Sequence, residues 1–304
     1  MQSALYQEPA APKPALGPSL KRFFAQLSQL RYRPLVLYPN LCWRYLRNYR
    51  RDRVALMGEF HEIMRSCGVS LDQKTLGAYV ADVILLHYVQ QSKIAVYTML
   101  TPELMESLAR EAARVIREEI PGDFVDVGVW KGGSSMIMRN VATKEGQPRP
   151  LHCLDIFDTM DERVLDEADP FQDHAIIAAL NLAREYFKTE GVRTSVEEVR
   201  QNFQRLGVSL DDVNFVVGNL TSRSFPFERV GTIALLRIDC DFYSATKQTM
   251  EQLYPRISSG GCIILDDYFL EAFGERRAVD EYREAHGIVA PVLRVGQSAL
   301  WIKP

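Results

Sequence analysis

The chain of 304 residues carries 36 Lys and Arg against 39 Asp and Glu, a formal charge of −3, with 47% hydrophobic and 25% charged residues. Those proportions fit a globular chain with one large core and an appended helical region, or two modest domains. They argue against nucleic acid as the main partner, and no segment has the ~20 apolar residues needed to cross a bilayer.

Residues 1–19, "MQSALYQEPAAPKPALGPS", lack a basic region followed by an apolar one and read as a disordered tail rather than a signal peptide. Residues 20–96 read as a helical arm or extension. It opens on "LKRFFAQLSQLRYRPLVLYPNLCWRYLRNYRRDRV", basic and aromatic, which suits packing on a sister subunit or on its own domain, with a membrane surface or an acidic partner as alternatives. Apolar residues then recur at helical spacing over 54–66 and 71–92, as at Val80, Val83 and Ile84, and His87 among them reads as a satisfied helical histidine. Thr101, Pro102 and Glu103 give the next segment an N-cap, a first-position proline and a first-turn acid, and a Pro-Gly pair stops it.

Beyond that helix, short apolar runs alternate with helical ones, the pattern of βαβ units in a doubly wound, mostly parallel α/β sheet. "DFVDVGV", "LHCLDIFD", "VNFVVGN", "TIALLRIDCD" and "GCIILDD" read as strands, and "GGSSMIMRNVATKE", "SVEEVRQNFQRLG", "SATKQTMEQLYPRIS" and "GERRAVDEYREAHG" as helices. "IVAPVLRV" and "SALWIKP" close the chain as an antiparallel pair. Residues 158–194 are too long for a plain connection and read as a lid or binding element, with His174 a surface histidine near a helix start. Five cysteines without CxxC pairing, beside apolar neighbours such as Leu154 and Ile263, read as reduced core thiols of a cytoplasmic protein.

In an open parallel sheet, ligands bind beyond the carboxyl ends of the strands. At those ends stand Asp126 with Gly128, Asp155 with Asp158, Gly218 with Asn219, Asp239 with Asp241, and Asp266 with Asp267. The loop "DVGVWKGGSS" can receive an anion on its free N–H groups, yet it lacks both the G-x-G-x-x-G of a dinucleotide site and the Gly-Lys-Ser/Thr of a P-loop. The carboxylate of an amino-acid-like cofactor fits, with Ser134 and Ser135 as extra donors, Asp126 near its ammonium and Asp155 on a ribose diol. Together these describe S-adenosylmethionine lying across the sheet. Adjacent strands would bring Asp239, Asp266 and Asp267 together, and three crowded carboxylates call for a proton or a hard cation, most naturally Mg²⁺. Asp239 could then take the proton of a substrate hydroxyl. The plainer alternative pairs Asp266 with an arginine such as Arg277 and makes Asp267 an N-cap.

"IPGDFVDVGVWKGGSSMIM", "LDIFDTM", "VEEVRQNFQRLGV", "RIDCDFYSATKQTMEQLYPRISSGGCIILDDY" and "RRAVDEYREAHGI" together resemble the TylF/macrocin O-methyltransferase family, over roughly Tyr97 to the carboxyl terminus. The resemblance implies a class I methyltransferase domain over 97–304 with a seven-stranded sheet whose last strand is antiparallel. It also implies methylation of a sugar hydroxyl on a glycosylated natural product, Mg²⁺ dependence and a homo-oligomer. Matching positions make Asp239, Asp266 and Asp267 the metal ligands, with Asp239 also the base, and add Tyr97, Thr98 and Met99 to the cofactor contacts. Asp126 stands where the family has glutamate, Cys240 where it has glycine, and "FDTMDE" replaces its "FEGLP" turn. A phenol or catechol acceptor and a non-catalytic relative remain as rival readings. A third is a short-chain dehydrogenase with Tyr243 and Lys247 as its Y-x-x-x-K pair.

Overall fold

The computed structural model describes residues 39–66, 97–188, 192–270 and 273–304, with most positions between 72 and 84. The tail 1–19, the arm before Pro39 and His87 lie outside the described residues.

The first described helix, α1 (Pro39–Ser66), begins fifteen residues before the apolar spacing of 54–66, so the second half of the basic aromatic stretch is helical. Helix α2 (Pro102–Arg117) starts as its sequence predicts, the Thr101 hydroxyl accepting the N–H of Leu104 at 3.3 Å. Strand β1 (Asp123–Val127), α3 (Gly133–Lys144) and β2 (Leu151–Asp155) follow, then α4 (Phe171–Phe187) inside the 158–194 insertion and α5 (Val196–Arg205). Strands β3 (Val213–Val217) and β4 (Ile233–Ile238) lead to α6 (Tyr243–Leu253), β5 (Ile257–Leu265) and α7 (Glu275–Ala285). The closing hairpin is β6 (Leu293–Val295) with β7 (Ser298–Ile302), so only the end of "IVAPVLRV" is strand.

The seven strands run in the order β3-β2-β1-β4-β5-β7-β6, parallel from β3 to β5 and antiparallel at β7 and β6. The order reverses between β1 and β4, which opens a crevice above their carboxyl ends. Strand alternation sends Val125, Val127, Leu236, Ile238, Ile263 and Leu265 to the face covered by α6 and α7. Phe124, Cys262 and Ile264 go to the face covered by α2, α3 and α5. That parity also decides where the polar ends of the strands point. A third cluster joins Tyr45, Leu56, Phe60 and Met64 of α1 to Ala175, Ala179 and Leu182 of α4, so the amino-terminal helix is seated on the insertion rather than on the sheet. Each fully buried aliphatic side chain there contributes about 1.5–3 kcal/mol relative to exposure.

Candidate active site

A pocket opens at the crevice above β1, β2 and β4. Met99, Gly128, Asp155, Asn219 and Asp239 of the expected residues line it, joined by Trp130, Asp158 and Asp241. Gly128 has φ 79° and lies against the main chain of Asp239: a Cβ there would stand 1.9 Å from the Asp239 carbonyl oxygen, so only glycine fits this crossing. Asp155 is bound to the glycine loop, its Oδ2 accepting the N–H groups of Val129 at 2.7 Å and Trp130 at 3.0 Å and its Oδ1 that of Phe157 at 2.9 Å. It therefore shapes the loop as well as facing the pocket.

Tyr97, Thr98 and Met99 lie over that loop. The Tyr97 carbonyl accepts the N–H of Gly133 at 2.8 Å, and the Thr98 hydroxyl accepts the N–H of Leu100 at 3.1 Å. Gly218 does not line the pocket; its N–H donates to the Asp155 carbonyl at 3.0 Å. The Asn219 side chain donates to the Arg163 carbonyl and accepts from Thr221, which ties the end of β3 to the insertion.

Three expected cofactor contacts go elsewhere. Asp126 is completely buried, and its Oδ2 accepts the hydroxyls of Ser134 at 2.7 Å and Ser135 at 2.5 Å while its Oδ1 takes Arg237 at 2.7 Å. Asp126 shares a face with Phe124 and so points at the start of α3, away from the crevice. Its oxygens are taken by the chain's own donors, and the two serine hydroxyls are spent on it.

Arg237 organises what lies next to it. Only 3% exposed, it donates through Nη2 to Asp239 at 2.6 Å and Asp266 at 2.5 Å as well as through Nη1 to Asp126. Strand parity explains the partner: Asp126 is in register with Arg237 and Arg237 with Ile264, so Asp266, two residues beyond Ile264, falls on the arginine's face. Asp267 falls on the other face. Asp266 is therefore held by an arginine, as the plainer alternative had it, but by Arg237; Arg277 pairs with Glu281 at 2.8 Å. Among the described residues, the acids whose ligand atoms converge to within 4.8 Å of one another are Asp239, Asp241 and Asp267, with Asp241 in the place expected for Asp266. Asp241 occupies the left-handed region at φ 62°, an unfavourable backbone for a non-glycine residue and one that concentrates at functional sites.

Two further buried acids frame this corner. Asp173, at the start of α4, accepts the N–H of Tyr243 at 2.7 Å and of Gly274 at 2.9 Å, so it clamps the insertion to the first turn of α6 and to the loop before α7. Gly274 is needed there, because a Cβ would meet Asp173 Oδ2 at 2.5 Å. Asp169 accepts the N–H of Ser244 at 2.6 Å. Burial, with Asp169 adding to it, pushes the Asp173 carboxyl up to about 7. The second is Glu275, wholly buried at the start of α7. His174 is exposed, as expected of a surface histidine.

The dehydrogenase reading fails on geometry. The Tyr243 hydroxyl donates to Glu281 at 2.6 Å and accepts from Lys247 at 3.3 Å, and neither side chain lines the crevice. Arg237, Asp173 and Glu275 escaped the sequence reading. The arginine alone had a signal, a charge set inside the apolar run "IALLRID".

Residues 87–303 match the model of the macrocin-O-methyltransferase (TylF) family. A tetracenomycin-C rhamnosyl 4'-O-methyltransferase of Streptomyces olivaceus is 34% identical over 208 residues, 67% of this chain and 75% of the relative. Mycinamicin III 3''-O-methyltransferase of Micromonospora griseorubida is 33% identical over 215 residues, 67% of this chain and 77% of the relative. The solved structure of the O-methyltransferase NovP superposes with a TM-score of 0.60 at 28% identity, covering 68% of this chain and 82% of that one. A seven-stranded sheet of this order, a glycine loop bound by the acid at the end of β2, and this sequence match lead to one conclusion: the chain belongs to the macrocin-O-methyltransferase (TylF) family of O-methyltransferases.

Proposed function

We propose that this protein transfers the methyl group of S-adenosylmethionine to a sugar hydroxyl of a glycosylated natural product, with a hard divalent ion, most naturally Mg²⁺, held by Asp239, Asp241 and Asp267. The observation that carries this reading is the convergence of those three carboxylates, two of which, Asp239 and Asp241, line the pocket that the glycine loop also lines. An all-oxygen donor set without Cys or His suits such an ion. The relatives are named for methylation of a tetracenomycin rhamnoside and of mycinamicin, which supports a glycoside acceptor.

When bound, S-adenosylmethionine supplies an electrophilic methyl group and the ion lowers the pKa of an acceptor hydroxyl. The chain's own part is placement. The glycine loop, Met99, Asp155 and Asn219 hold the donor in the crevice, and Tyr97 and Thr98 cover the loop. Asp239, oriented by Arg237, receives the acceptor proton, and alignment for in-line displacement supplies most of the remaining rate.

Residues 97–304 are read as the catalytic domain. The insertion 158–194 is read as its lid, since Met160, Val164 and Val192 wall the pocket, and the preceding helices as an extension seated on it. The buried thiols of Cys153, Cys240 and Cys262 suit a reducing cytoplasm. Self-association is a further proposal, for sedimentation to decide. The enzymatic reading is tested by mass spectrometry of desmethyl glycosides and catechols incubated with the protein, S-adenosylmethionine and Mg²⁺. A gain of one methyl group on a glycoside, lost in EDTA, supports it; methylation of catechols alone overturns the acceptor class.

A further inference from the structure

Glu275 is wholly buried at the first position of α7, where the helix dipole favours an acid, yet among the described residues no cation pairs with it. Its Oε1 accepts the main-chain N–H of Asp267 at 3.1 Å, a bond that an amide or a hydroxyl could make without bringing in a charge. Its Oε2 is buried and makes no hydrogen bond. The usual compensation for a buried acid is a cation, and the cations nearby are engaged elsewhere. Arg237 serves Asp126, Asp239 and Asp266, while Arg276 pairs with Asp280 and Arg277 with Glu281. The charges that act on Glu275 are those of Asp267, Asp239, Asp266 and Asp241, all of the same sign. A buried carboxyl with one bare oxygen among four acids is disfavoured as an anion, and either a proton or positive charge from outside the chain relieves it.

We propose that Glu275 is an outer carboxylate of the cation site, its Oε1 fixing the main chain of Asp267 and its Oε2 accepting a hydrogen bond from a water that the cation brings with it. The inference rests on the cation reading above. An outer place follows from the geometry, because the converging ligand atoms belong to Asp239, Asp241 and Asp267 and not to Glu275. It also follows from the chemistry of Mg²⁺, which keeps several of its waters when few carboxylates bind it and leaves their hydrogens in need of acceptors. Glu275 is thus a positioning residue, and its position one residue after the Asp173-bound Gly274 links the cation site to the insertion.

The test titrates the full-length protein with Mn²⁺, reading free metal by electron paramagnetic resonance, and records thermal melts with and without Mg²⁺. For Glu275→Gln the expected result is a loss of about tenfold or more in Mn²⁺ affinity, the range seen when an outer-shell partner is removed. The melting temperature without metal stays level or rises, since an amide oxygen keeps the bond to the Asp267 N–H. Mn²⁺ affinity equal to wild type, with a lower melting temperature, overturns the proposal and leaves Glu275 a structural cap. Should Glu275→Gln not fold, Glu275→Asp gives the same comparison: the carboxyl is kept but withdrawn by one methylene, a measurable loss of affinity is expected, and undiminished affinity overturns the proposal. If the wild-type protein itself binds no Mn²⁺, the cation reading falls and takes this inference with it. Binding by wild type and variant alike removes the inference alone.

Discussion

The two halves of the crevice use the same residue type to different ends. On the β1–β2 side, each acid is satisfied by the chain itself: Asp126 by two serine hydroxyls and Arg237, Asp155 by three main-chain N–H groups. On the β4–β5 side, Asp239, Asp241, Asp267 and Glu275 gather, with Asp239 and Asp266 sharing the buried Arg237 that already serves Asp126. Carboxylates at strand ends are therefore not equivalent. Where the chain brings its own donors, the acid holds the fold together; where it brings more acids, the proposed cation would supply the missing charge.

The sharpest way to separate the halves is to remove the group they share. Arg237→Met strands three buried or half-buried carboxylates, with an expected loss of about 3–5 kcal/mol and a fall of roughly 10 °C in melting temperature, read by calorimetry. Asp241→Asn acts oppositely. Turnover is expected to drop by about a hundredfold or more while the metal-free melting temperature holds or rises, and a variant that loses stability instead makes Asp241 structural like Asp126.

Asp173 sits between these cases. Asp173→Ala leaves the N–H groups of Tyr243 and Gly274 buried without acceptors, for an expected loss of about 2–3 kcal/mol. Its carboxyl, raised to about 7, binds its proton more tightly in the folded chain than in the unfolded one. Its contribution to stability is thus full below the ordinary carboxylate range and lost as pH rises toward about 7. Denaturant titrations of wild type against Asp173→Asn across that window should show the gap moving against wild type as pH rises, and a constant gap contradicts the assignment. The smallest effect belongs to the cap outside the crevice: Thr101→Ala should cost about 1 kcal/mol with no change in kcat.

Much of this was legible in residue order because local rules govern it. Thr101, Pro102 and Glu103 start α2, and apolar runs ending at Asp126, Asp155 and Asp239 mark three parallel strands together with the edge where a ligand binds. What escaped was direction. Asp266 and Asp267 are neighbours in sequence but face opposite sides of the sheet, and only the register of β4 against β5 shows that Arg237 claims the first of them. Asp173 and Glu275 look like ordinary first-turn acids, since their partners at Tyr243, Gly274 and Asp267 are brought near by tertiary packing alone. The early start of α1 was hidden by its arginines, whose positions break the apolar period although Tyr45 and Leu56 sit in the cluster beneath.

The proposal that the β4–β5 half recruits a cation can be put to a single titration of wild type and Asp241→Asn with Mn²⁺. The expected outcome is one ion per wild-type chain, displaced by Mg²⁺ and lost in Asp241→Asn. No ion on the wild-type chain, or an ion still bound after Asp241→Asn, would contradict it.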